Sequence, residues 1–104
     1  MELAITLGAI LFFLHLCGIY GGLYDKSLGF GALTHFIGGM FLYSIFPNLI
    51  TIFVLVVLWE LFEACFQWVF PKHSKMLCWY SRTFNGGVSD IFWGMAGASL
   101  LWII

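Results

Sequence analysis

No Asp, Glu, Lys or Arg interrupts residues 3 to 24, and that run constrains the fold more than any motif in the chain. A helix rises 1.5 Å per residue, so about 20 apolar residues match the hydrocarbon thickness of a bilayer. Leu3 to Tyr24 meets that length, and Asp25-Lys26-Ser27 ends it. The pattern then recurs. Leu28 to Phe46 is a second apolar run, rich in glycine, closed by a Pro47-Asn48 turn. The residue before a proline is pushed out of the α region, so a boundary is expected there. Leu49 to Phe70 is the third and most hydrophobic run, and Pro71 stops it. Val88 to Ile104 is the fourth, after a polar connection over residues 71–87. In hydrocarbon every backbone amide must be satisfied within the structure. Barrel strands would be about ten residues long with strict alternation. These runs are longer and continuous. The predicted fold class is therefore all-α: one transmembrane domain over residues 1–104, with four helices (3–24, 28–46, 49–70 and 88–104) in a compact bundle.

Composition points the same way. Hydrophobic residues make up 62% of the chain and charged residues 9%, against roughly 25% charged in soluble domains. A chain this short has too little interior to hide so much apolar surface from water. The formal net charge is −1, which predicts no nucleic-acid partner. Met1-Glu2 leads straight into the first apolar run, with neither the positive region nor the cleavage site of a signal peptide. That run is accordingly expected to be a retained span.

Orientation follows from the basic residues. With four spans, Lys26, Lys72, Lys75 and Arg82 fall in the two connections on one side. The positive-inside rule makes that side cytoplasmic and predicts both termini on the other. A bacterial inner (cytoplasmic) membrane is the expected location. Within the second connection, Met76-Leu77-Cys78-Trp79-Tyr80 suits either an interfacial helical turn or a loop with aromatic anchors.

Ionisable residues inside apolar spans are costly and mark function by default. His15, His35, Glu60 and Glu63 lie inside the predicted spans, and Asp90 lies near the start of the fourth. Measured from the cytoplasmic ends, His15 is roughly 13 Å deep, His35 and Glu63 about 11 Å, Glu60 about 15 Å and Asp90 about 3–5 Å. Four helices thus contribute polar groups to the same half of the bilayer. Glu60 and Glu63 are three apart and share a helix face. They are expected to face the bundle interior, as a binding group or as interhelical hydrogen-bond glue. Ser89-Asp90 also suits a helix N-cap.

Small residues supply packing surfaces. Gly18 and Gly22 form a GxxxG pattern in the first span. Gly94 and Ala98 form small-xxx-small in the fourth, with Gly97 beside them, and Gly38-Gly39 lies next to His35. Such residues let helix backbones approach closely, within one chain or between copies. Cys17, Cys65 and Cys78 match no zinc or disulfide pattern and read as small hydrophobes.

Read in order, the polar pattern is Asp25-Lys26, His35-Phe36-x-Gly38-Gly39, Trp59-Glu60-x-x-Glu63, then Ser89-Asp90-Ile91 followed by Gly94-x-x-Gly97-Ala98. Over roughly residues 25–100 this resembles the VanZ-like and YjdF-like group of small bacterial membrane proteins. Asp25 and His35 stand farther apart here than in that group's Asp-Lys-x-x-His-Phe. The resemblance implies a polytopic membrane fold and, for some members, a connection with cell-envelope glycopeptide tolerance.

Three functional readings remain open at this level. In the first, the His/Glu/Asp cluster binds a polar head group, a proton or a cation. In the second, the chain is an accessory or structural subunit of a larger membrane complex, or a homo-oligomer, with the lipid bilayer as its other partner. In the third, it binds haem or a metal. Two His at similar depth suit haem axially, and carboxylates plus His suit a metal. The di-iron Glu-x-x-His signature is absent, because position 63 is Glu, and no c-type haem motif occurs. No cofactor is specified. There is no nucleophile elbow, phosphate loop or HExxH, so covalent catalysis is disfavoured.

Overall fold

The turn at Pro47-Asn48 folds as its residues dictate. Asn48 stands at the N-cap of a helix, where its Oδ1 accepts a hydrogen bond from the Thr51 N–H at 3.0 Å. That satisfies one of the amide donors a helix start leaves without an intrahelical acceptor. A computed structural model of the chain describes residues 1–23, 28–69 and 84–104, except the side chains of residues 28, 66–68 and 84–87. The four basic residues, Asp25, His73, Cys78 and the Met76–Tyr80 segment lie outside the described residues.

Four helices follow one another: α1 (Glu2–Tyr20), α2 (Leu28–Ile45), α3 (Leu49–Val69) and α4 (Phe84–Ile103). The all-helical fold expected from sequence is thus observed. Among the described residues, α1 is the one helix long and apolar enough to cross a membrane; Gly29–Ile45 and Val88–Ile103 are shorter apolar helical stretches.

Two boundaries differ from the sequence expectation, each for a local reason. α1 ends at Tyr20 rather than near residue 24. The Gly21 N–H bonds the Cys17 carbonyl at 2.9 Å, and Gly22 takes φ 70°. That left-handed conformation suits glycine and commonly closes a helix. Gly22 therefore terminates α1 and does not extend a GxxxG packing face, whereas Gly18 is buried on the helix. At the other boundary, α4 begins at Phe84, within the stretch expected to be a polar connection. A helix follows its hydrogen-bond ladder and need not stop where apolarity stops.

The helices pack in the order α1, α2, α4, α3. α2 makes its most extensive contact with α4, α1 lies on α2, and α3 lies chiefly on α4. Among the described residues the backbone of α1 comes close to α2 alone. The register is regular. A Cβ placed on Gly39 would collide with the Gly94 carbonyl oxygen, and one on Gly97 with that of Phe36. His35 meets Asp90 four residues before the Gly39–Gly94 contact, so α2 and α4 run parallel. Val56 lies against Gly94, and Ile52 and Val56 share the buried core with Ala98. α3 therefore runs antiparallel to α4. Leu42, Tyr43, Leu49, Ile91 and Met95 close over this core.

Candidate functional site

The α2–α3–α4 core is built in layers, because each helix contributes one residue every fourth position. Ala98 and Ile52 are fully buried, and Tyr43 packs against them. The next layer is Gly39, Val56 and Gly94, where a methyl added to Gly94 would stand 3.4 Å from Val56 Cγ2. The layer after that is polar: His35 from α2, Glu60 from α3 and Asp90 from α4.

One ligand atom from each of these three side chains lies within 4.8 Å of the other two. His35 Nε2 and Asp90 Oδ1 are 3.3 Å apart, at ion-pair distance. The site is neither sealed nor open, with side chains 22% exposed for His35 and 14% for Asp90. The Gly39–Gly94 and Phe36–Gly97 approaches bring α2 and α4 to backbone contact just beyond it, so the two helices hold His35 and Asp90 at a fixed separation. A carboxylate at each of two corners and an imidazole at the third can bind a cation, hold a proton or join the helices by hydrogen bonds.

Asp90 is placed differently from its sequence reading. With α4 starting at Phe84, Asp90 lies about 9 Å inside the helix and is not its N-cap. His35 is about 10 Å along α2, so the two lie level. Glu60 is about 13 Å from the C-terminal end of α3.

Glu63 and His15 fall outside the group of three. Glu63 is only 2% exposed and lies about one turn nearer the end of α3. His15 is half-buried on α1. The α1–α2 seam pairs Gly8 with Phe41 and Leu11 with Gly38. Continued along α1, that register brings His15 level with Thr34. His15 thus lies level with His35, on the helix that packs against α2. Thr34, which sequence reasoning passed over, is buried at that level, and its hydroxyl donates to the Gly31 carbonyl at 2.8 Å. Among the packing residues, Gly94, Gly97 and Ala98 all lie buried in the α4 interface. Gly39 has an equal role, legible in its four-residue spacing from His35. Comparison with protein-family models, curated proteins and solved structures finds no match.

Proposed function

We propose that this chain is a small integral membrane protein of the bacterial inner membrane, with a cation-binding site in its helical core formed by His35, Glu60 and Asp90. One observation carries the site: three donor side chains from three different helices converge to within 4.8 Å. Covalent catalysis is not part of this reading.

Two observations support the membrane setting. Large apolar side chains face outward on every helix, among them Phe12 at 66%, Ile50 at 77%, Leu33 at 45% and Phe92 at 62% exposure. A helix apolar on all faces needs either protein or lipid around it. The helices have 19, 18, 21 and 20 residues, or about 27–32 Å, close to the hydrocarbon thickness. In this reading the basic connections face the cytoplasm, both termini face away, and the site lies in the cytoplasmic half. The VanZ-like and YjdF-like resemblance likewise implies a polytopic membrane fold.

The test is cation binding by the purified protein in detergent, after its recovery from alkali-washed membranes. The expected result is that the wild type binds a cation from a panel of monovalent and divalent salts. Glu60→Gln and Asp90→Asn should lose that binding by at least about tenfold while keeping wild-type helicity and elution volume. If the folded wild type binds no cation, the cluster is interhelical glue instead.

A further inference from the structure

The proposed cation site has a donor set that discriminates among cations. Resting on that reading, we propose that it takes one divalent transition-metal ion, bound by His35 Nε2 and one carboxylate oxygen each from Glu60 and Asp90, with the remaining coordination positions left to water or an exogenous donor.

Four features converge on this ion class. The first is donor chemistry. An imidazole nitrogen suits zinc, iron, nickel or copper, whereas calcium takes 6–8 oxygens and magnesium prefers carboxylates and water. The second is spacing. Metal–nitrogen and metal–oxygen bonds of about 2.0–2.2 Å put tetrahedral ligand atoms about 3.4 Å apart. The His35 Nε2–Asp90 Oδ1 distance is 3.3 Å. Glu60 offers an oxygen within 4.8 Å of a ligand atom on each of the other two. The third is charge. Metal ligands bind deprotonated, and two carboxylates with an imidazole then match a dication better than a monovalent ion. In a low-dielectric core an uncancelled charge is expensive.

The fourth is the direction of the open positions. On one side the site is floored by Gly39, Val56 and Gly94, which offer no side-chain ligand. Exchangeable positions therefore lie away from that floor. Glu63 lies one turn along α3 in that same direction, beyond the three ligands. Three protein ligands with open positions is the arrangement of a reactive or exchanging metal, while structural zinc sites use four.

Cobalt(II) is a suitable probe, because its visible absorption reports ligand type and coordination number. The chelator-stripped protein in detergent should bind one cobalt per chain. Zinc should displace it, and a hundredfold excess of magnesium or sodium should not. His35→Ala and Glu60→Gln should each weaken cobalt binding at least tenfold, and Glu63→Gln less than tenfold, with helicity checked for each. A measurement needing no variant accompanies these: cobalt should shift the proton magnetic resonances of the His35 imidazole in the wild type. Cobalt binding that leaves those resonances unshifted overturns the proposal. Binding of only sodium, potassium, magnesium or calcium overturns it while preserving the cation-site reading. A folded wild type that binds no cation at all overturns both.

Discussion

The seam between α2 and α4 and the seam between α1 and α2 both use glycine, but in different ways. At the α2–α4 seam, an added methyl on Gly39 or Gly97 would strike a carbonyl oxygen of the opposite helix. Backbone meets backbone there, and nothing can rotate aside. At the α1–α2 seam, a methyl on Gly8 would stand 3.0 Å from the edge of the Phe41 ring, and one on Gly38 would stand 3.9 Å from a Leu11 methyl. Side chains fill that gap, and side chains can shift. The first seam fixes the distance between two ligands of the proposed site, whereas the second only attaches a helix. GxxxG-like spacing in a sequence signals close approach but does not say which of these two kinds will form.

Substitutions can break or sharpen that contrast. The largest effect is expected from Gly97→Ala or Gly39→Ala. Overpacking costs typically about 1–3 kcal/mol, and a backbone collision belongs at or above the top of that range. Thermal unfolding in detergent should show a large drop in midpoint for both, or loss of the folded species. Ile52→Ala comes next, at about 2 kcal/mol. Its cavity cost persists in the bundle core, but in the proposed membrane setting detergent and lipid offer the unfolded side chain an apolar alternative, which removes much of the transfer cost. Asn48→Ala should cost about 1 kcal/mol through loss of the cap on α3. Gly8→Ala should cost least, within about 0.5 kcal/mol of wild type, because the Phe41 ring can tilt. If Gly8→Ala proved as damaging as Gly97→Ala, the distinction between the two seams would fail.

The helices were legible because apolar run length and proline placement report them directly. The end of α1 was not, since Gly18 and Gly22 satisfy a packing motif on paper. Gly22 takes φ 70° just beyond the last residue of α1, a backbone state that a spacing rule does not contain. The polar residues of the site were legible singly, by their cost in an apolar run. Their grouping was only partly so. A shared half of the bilayer groups His15, His35, Glu60, Glu63 and Asp90, yet depth is one coordinate of three. The azimuth around each helix is a second, and the close group unites His35, Glu60 and Asp90. The four-residue spacings 35/39, 52/56/60 and 90/94/98 carry that second coordinate and were present in the sequence throughout. Asp90 lies farther from its helix start than apolarity suggests, because α4 begins at Phe84.

The order of the helices in space is not their order along the chain. α2 has its principal partner in α4, which is the last helix to be made. A chain synthesised from its N-terminus will therefore have placed His35 and Glu60 well before Asp90 exists. For that interval α2 and α3 are joined by a tight turn but share little surface. α4 supplies both the second side of the glycine seam and the third member of the triad. The core and the site thus depend on the same helix, and a chain without α4 has neither.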